Sequence, residues 1–223
     1  MKADGQSNPT LSITGNPFCA YIEREVGTGG NRIANAPYFN FGALKTTGVD
    51  VQFDWGADFS DMGLGMIPGS LNLNFVLNWL GKYDIQSSPT GKVLNYAGTV
   101  GGPTSQSGSQ FRYRTFTTLS WTHPKGDLGL RWRHDPSAAN AAGVIGPTTL
   151  LGVKSHDEFD LFGSWKVNNT YSLRAGVDNL LDRDPEIFGI DTSTASPNSS
   201  RGTTLYDYDS IGRRFYVGIK ARF

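Results

Sequence analysis

Three observations in the 223 residues predict an all-β fold, an antiparallel up-and-down transmembrane β-barrel wall. Apolar and polar residues alternate with period two in seven separate segments. Charge and tryptophan are sorted between the two faces that this alternation creates. The connections between segments run short, long, short, long, short, long.

The segments are 47–59, 70–81, 110–122, 127–134, 157–167, 170–179 and 213–223. Successive side chains of a strand point to opposite faces, so a period of two means one apolar face and one polar face. In GVDVQFDW the apolar face is Val49, Val51, Phe53 and Trp55, with Asp50, Gln52 and Asp54 between them. LNLNFVLNW sets Leu71, Leu73, Phe75, Leu77 and Trp79 against Asn72, Asn74 and Asn78. FRYRTFTTLSW places Phe111, Tyr113, Leu119 and Trp121 opposite Arg112 and Arg114, and LGLRWR places Leu128, Leu130 and Trp132 opposite Arg131 and Arg133. The final stretch, RRFYVGIKARF, carries Phe215, Val217, Ile219, Ala221 and Phe223 on one side. Periodicity alone does not say whether these faces point out of the sheet into lipid or inward to a core.

Charge and tryptophan bear on that choice. No Asp, Glu, Lys or Arg occupies an apolar-face position in any segment. All five tryptophans (Trp55, Trp79, Trp121, Trp132, Trp165) lie on that face, at or near strand ends. Indole rings favour the level of lipid headgroups, whereas a sandwich core would bury some of them mid-strand. The connections 60–69, 123–126 and 168–169 are short, while 82–109, 135–156 and 180–212 are long and rich in Gly, Ser, Pro and Thr. Outer-membrane barrels sort their loops in this way, with short periplasmic turns and longer extracellular loops.

Composition excludes several classes. Hydrophobic residues make up 38% and charged residues 18%, which rules out a disordered chain. Lys+Arg and Asp+Glu balance at 20 each, so no global field points to nucleic acid. Mean hydropathy is −0.34. A barrel averages to such a value because its faces alternate. No apolar run approaches the ~20 residues of a membrane helix, and MKADGQSNPT holds no apolar segment of a signal peptide. A single cysteine, Cys19, excludes an intrachain disulfide framework. His123, His134 and His156 have no metal-ligand spacing, HDEFD (156–160) reads as a solvated strand start at the rim, and GTGGN (27–31) lacks the ending of a phosphate loop. No enzyme activity, metal or cofactor is expected.

Two motifs carry a resemblance. LKTTGVDVQFDW (44–55), after NAPYFNFG, resembles the Lys-Thr-x-Gly-Val-Asp strand of TonB-dependent receptors, and YSLRAGVDNLLDRDPEI (171–187) resembles their penultimate strand with its Asn-Leu-Phe-Asp exit. Leu181 stands where that family usually has Phe. The terminal strand is similar too: the family ends its barrel on an aromatic residue, so Phe215, Val217, Ile219 and Phe223 are expected to act as a barrel-assembly signal.

The resemblance implies a bacterial outer-membrane location and a 22-stranded barrel of which this chain supplies about seven C-terminal strands. Residues 1–46 would then be a loop and the approach to the first strand, and 47–223 the seven strands. Cys19 would pair with a cysteine upstream or stay a free thiol. The implied function is active uptake of a scarce nutrient: a ferric siderophore, a vitamin or an oligosaccharide. The implied partners are the bilayer with its lipopolysaccharide, the barrel-assembly machinery, the TonB complex through an N-terminal region outside this sequence, and the substrate. By the same analogy Tyr83, Tyr96, Tyr206 and Tyr208 offer stacking faces to substrate from the long loops, and inward-facing Arg112, Arg114, Arg131 and Arg133 could meet an anionic ligand. The alternative for the arginines, Arg174 included, is pairing with Asp50, Asp54, Asp160 and Asp178 or with a plug. Two other readings remain at this level. One is a small stand-alone barrel, a pore or adhesin, with an eighth strand in LSITGNPFCAYI or NRIANAPYF. The other is a secreted carbohydrate-binding β-sandwich.

Overall fold

The computed structural model describes residues 42–87, 91–101, 109–189 and 208–222, with the backbone of 22–24 and 31–34. Twelve strands and one helical turn are assigned among them: β1 (Ile22–Arg24), β2 (Asn31–Ala34), β3 (Ala43–Asp58), β4 (Ser70–Gln86), β5 (Val93–Asn95), β6 (Thr99–Val100), β7 (Tyr113–His123), β8 (Gly126–Asp135), β9 (Ala139–Asn140), α1 (Ala142–Ile145), β10 (His156–Lys166), β11 (Tyr171–Asp178) and β12 (Arg214–Ala221).

The chain divides into two compact units. Residues 1–44 and 84–94 form one; within it β1 and β2 pair antiparallel as a small sheet of their own. Within residues 1–46, β1 and β2 pair with each other and β3 begins at Ala43. NRIA is a strand, yet its partner is β1 and not the main sheet.

The second unit, residues 45–83 and 95–223, holds most of the main sheet. Its strand order is β3–β4–β7–β8–β10–β11–β12, each strand beside its predecessor, with β5 also paired to β4. All seven sequence-predicted strands are present, in meander order and within a single sheet. β3 and β4 are longer than expected, at 16 and 17 residues. β7, β8 and β10, at 11, 10 and 11 residues, match the ~9–11 residues that a tilted strand needs to cross a bilayer.

No second layer covers the apolar face among the described residues. Val49, Phe53, Leu119, Leu128, Leu173 and Val217 are exposed on it, the last at 73%. An apolar face left open in this way lacks the facing layer that a β-sandwich supplies, as expected of a face turned to lipid. Aromatic rings gather at both ends of this face. Towards the short turns, the His123 ring lies flat on Trp165 (5.4 Å) and edge-on to Trp121, while the Trp121 indole donates to the Pro68 carbonyl at 3.1 Å. At the opposite ends, Tyr113 stacks on His134 and Trp132 on Phe159, and Asp157 accepts from both Trp132 and His134 at 2.8 Å. Tyr113 and Trp121 are eight residues apart, about 27 Å along a strand and about 20 Å across the membrane at a ~45° tilt. Two such girdles bounding an apolar band are the signature of an outer-membrane wall.

The hydrophobic core is small and lies off the sheet. Val100, Phe111, Ala138, Val153 and Tyr208 are buried together with Phe188 packed against them. Phe111 is thus a correction: it precedes β7, is 4% exposed, and joins the core instead of the lipid face. Its ring turns to the arginine side, 4.6 Å beneath the Arg114 guanidinium. The cluster binds the long connections to one another, helped by the parallel β6–β9 pair and the Ala138–Val153 bridge.

Candidate functional site

The inner face is built as rows of register partners, and each row has its own chemistry. On β3 and β4 the row is made of amides and carboxylates: Asn74 donates to Asp54 at 2.5 Å and Asn78 donates to Asp50. Near the short turns, Asn72 donates to Thr122 at 3.1 Å and Ser164 donates to Asp127. One row further, glycine alternates with aromatic rings. Ser120, Gly129, Phe162, Gly176 and Tyr216 pair in sequence across β7 to β12. The Phe162 ring fills the space a Gly129 side chain would need, and Tyr216 does the same over Gly176. These two glycines are required by that close approach.

Towards the long loops the rows become charged. Arg133 on β8 bonds to Glu158 and, at 3.0 Å, to Asp160, both on β10; Arg131 stands 3.8 Å from Asp160. Two cations therefore face two carboxylates, and both carboxylates are buried, Asp160 at 2% exposure. Burial of charge is tolerable because each acid keeps a cation and hydrogen bonds. Arg131 is further held between the rings of Phe116 and Phe162, at 5.3 and 5.4 Å. Arg114 pairs with Asp135 at 2.8 Å.

HDEFD is consequently not a solvated strand start. His156, Glu158 and Asp160 all point inward and are buried, while Asp157 points outward to the aromatic girdle. Period two within β10 sends them there, and the ring of Tyr208 lies against His156. No group of His, Cys, Asp and Glu able to hold a metal occurs among the described residues.

The strand exit NLLD explains how that loop is held. Asn179 adopts a left-handed backbone (φ 51°), and its amide N–H donates to Asp160 at 2.9 Å. Its side chain closes a turn in both directions with Arg183, accepting from the Arg183 N–H at 2.7 Å and donating to the Arg183 carbonyl at 2.9 Å. Asp182, also left-handed (φ 55°), accepts from the Arg213 N–H at 2.9 Å. Arg214 then bonds to Asp209 at 2.7 Å and reaches Asp178 at 3.6 Å. The start and the end of the 180–212 connection are thus clamped together; Asn and Asp are the non-glycine residues that take this backbone most readily.

The sequence-predicted site residues do not gather in one place. Arg114, Arg131 and Arg133 come together on the inner wall, each about 40% exposed and each facing acids of this chain. Of the expected acidic partners, Asp160 pairs with Arg131 and Arg133, Asp178 pairs with Arg214, and Asp50 and Asp54 bond to asparagines instead. Arg174 lies across Gly218 of β12. Arg112 is apart from them: its guanidinium donates to the carbonyls of Gly81 (2.8 Å) and Ala97 (2.9 Å), tying β4 to the following loop. Among the tyrosines, Tyr83 is half-buried at the top of β4, whereas Tyr96 (2% exposed) and Tyr208 (6%) are buried and present no ring to solvent. Burial of Tyr96 also raises its phenol above the ordinary range. Tyr206, Phe223 and Cys19 lie outside the described residues. Phe215, Val217 and Ile219 stand exposed on β12, an edge of the sheet, opposite Val177, Ala175 and Leu173.

Sequence reasoning missed Glu158, Asn179 and Asp182. The signal for Asn179 and Asp182 was the motif itself: Asn and Asp at a strand exit mark left-handed turns.

The comparisons with known proteins agree with this architecture. Residues 8–180 match the family model described as TonB dependent receptor-like, beta-barrel. The ferrienterobactin receptor of Escherichia coli (strain K12) is 30% identical over 122 residues, covering 50% of this chain and 16% of that protein. The chain thus spans a small part of the length of that curated relative. No solved structure matches significantly. A single outward-greasy meander, paired aromatic girdles and a match over three quarters of the residues agree: the chain belongs to the TonB-dependent receptor family, as part of its outer-membrane β-barrel.

Proposed function

We propose that this chain forms barrel wall and extracellular loops of a receptor that takes up a ferric siderophore actively across the outer membrane. The observation that carries the reading is the likeness to the ferrienterobactin receptor, 30% identical over 122 residues, taken together with the exposed arginines of the inner wall. A ferric catecholate or hydroxamate complex is bulky and often anionic. Arg114, Arg131 and Arg133 retain about 40% exposure after pairing with their acids, which leaves donors to contact such a ligand or the acidic surface of a plug. A vitamin or an oligosaccharide would draw on flat aromatic faces, and the buried rings of Tyr96 and Tyr208 do not supply them.

In this reading the paired carboxylates keep the arginines pre-oriented, and the loop clamp built from Asn179, Asp182, Arg213 and Arg214 holds the roof of the vestibule in one arrangement. Tyr83 and Tyr206 complete the loop side of the site. Phe215, Val217, Ile219 and Phe223 serve insertion by the barrel-assembly machinery, lipopolysaccharide surrounds the outer girdle, and energy arrives from the TonB complex.

The test is uptake of radioactive iron by a strain lacking the gene for the receptor that carries this chain, complemented by that gene. Iron accumulation from one class of siderophore, lost on removing TonB or collapsing the proton gradient, is the expected result. Growth on a vitamin or oligosaccharide, with no iron phenotype, overturns the substrate class. Accumulation that persists without TonB overturns the mechanism.

A further inference from the structure

One turn on the short-loop side is unlike its neighbours. The turns from β7 to β8 and from β10 to β11 span 124–125 and 167–170, whereas the turn from β3 to β4 spans 59–69. A hairpin reverses its chain in about 2–5 residues. The surplus here contains MGLGMI (62–67), a run without one polar side chain. Met62, Leu64, Met66 and Ile67 are all exposed, Met66 at 99%. Asp58 and Asp61 precede the run, and the turn holds no Lys or Arg. Apolar side chains gathered in the open mark a surface that something covers.

The turn is a built structure. The Phe59 N–H donates to the Gly69 carbonyl at 3.0 Å, Leu64 to Phe59 at 2.8 Å, Gly63 to Ser60 at 3.2 Å and Ile67 to Leu64 at 2.9 Å. Gly63 (φ 78°) and Gly69 (φ 105°) supply the positive-φ backbone at these reversals. Backbone groups that bond to each other cost less to take out of water. The two ends of the turn rest on Trp121: its indole donates to the Pro68 carbonyl at 3.1 Å, and the Phe59 ring meets it edge-on at 6.5 Å. Trp121 belongs to the outward apolar face, between its register partners Leu71 and Leu128. The turn thus continues the aromatic girdle at the level of the periplasmic headgroups.

We infer that the 59–69 turn is an interfacial anchor, with Leu64, Met66 and Ile67 lying in the boundary between headgroups and acyl chains of the periplasmic leaflet. Lipid is the occupant for three reasons. The turn is continuous with the girdle, which already sits at that depth. The run 62–67 offers no charged or hydrogen-bonding side chain, which a specific protein interface would use and a bilayer does not require. The internal backbone bonds remove much of the cost of leaving water. The anchor fixes the height of β3 and β4 in the membrane, and it recognises no particular headgroup.

The experiment is spin labelling of the intact receptor carrying this chain, reconstituted into vesicles of phosphatidylethanolamine and phosphatidylglycerol. A nitroxide is placed at Met66→Cys, and another at Asn169→Cys on the polar turn between β10 and β11. Receptor without either substitution, treated with the same label, sets the background. Oxygen concentrates in the bilayer and a water-soluble nickel complex stays outside it. The ratio of oxygen to nickel collisions is expected to be several-fold higher at 66 than at 169. Adding Leu64→Asp and Ile67→Asp should bring position 66 down to the level of 169. Heat-modifiable migration verifies that each variant is folded, and Leu64→Cys replaces Met66→Cys if the latter is not. Equal ratios at the two positions, a ratio at 66 unmoved by the two aspartates, or a label at 66 shielded from both reagents, as against a protein, overturns the proposal.

Discussion

The ring of His156, at the head of β10, lies against the ring of Tyr208, with centroids 4.8 Å apart. One residue opens a membrane strand and the other ends the long connection into β12, so this contact ties a loop to the wall. Tyr208 also packs edge-on to Phe111, 6.3 Å away. Replacing Tyr208 with Ala removes both contacts and should cost the loop cluster about 3 kcal/mol. Protease cleavage within 180–212 of the intact receptor should then quicken while heat-modifiable migration of the barrel is retained. Unchanged cleavage rules out the tether.

Arg133 serves two buried acids, so its loss is not a simple deletion of a surface charge. Arg133→Met leaves Asp160 with Arg131 and takes from Glu158 its arginine, at a cost of about 2–3 kcal/mol. The upper range for buried pairs is not reached because the guanidinium is 41% exposed. Adding Glu158→Gln to that variant should recover part of the loss, since one uncompensated charge disappears. Urea unfolding in bilayers measures both, and equal stability of the single and double variants argues against the shared-cation arrangement.

Neighbouring positions on β4 should respond oppositely to the same substitution. Leu73, on the outward face, pairs with Leu119, whereas Asn74 faces inward to Asp54. Leu73→Arg should cost about 2–4 kcal/mol and Asn74→Arg far less. Comparable losses in a folding titration would mean that the faces are assigned the wrong way round.

Gly129 and Phe162 are register partners, and the ring occupies the place of the absent side chain. Gly129→Val should therefore expel the ring from its seat at about 1–3 kcal/mol. Phe162→Ala in the same chain should make the valine nearly harmless, a coupling that additive effects do not produce. Thermal unfolding of the four variants closes the cycle.

Much of this wall was legible from residues alone. Alternation located seven strands, their faces and their order, because a side-chain period of two is a local property of extended backbone. Tryptophan at strand ends and the sorting of loop lengths gave the membrane its place, since indole and loop composition respond to solvent and not to any one tertiary contact. Phe111 was misassigned because alternation persists for two residues past the strand end, where the backbone has already turned. HDEFD was misjudged because its partners come from elsewhere: Tyr208, about 50 residues away in sequence, lies against His156, and Arg133 of another strand bonds Glu158 and Asp160.

Sequence by itself determined the architecture: local periodicity and the chemistry of water, interface and lipid suffice to say which residues face which solvent. Tertiary structure alone decided the pairings. Which acid meets which arginine, which ring covers which glycine and which loop end is clamped to which strand depend on register. Register is a relation between distant segments that neither segment encodes singly.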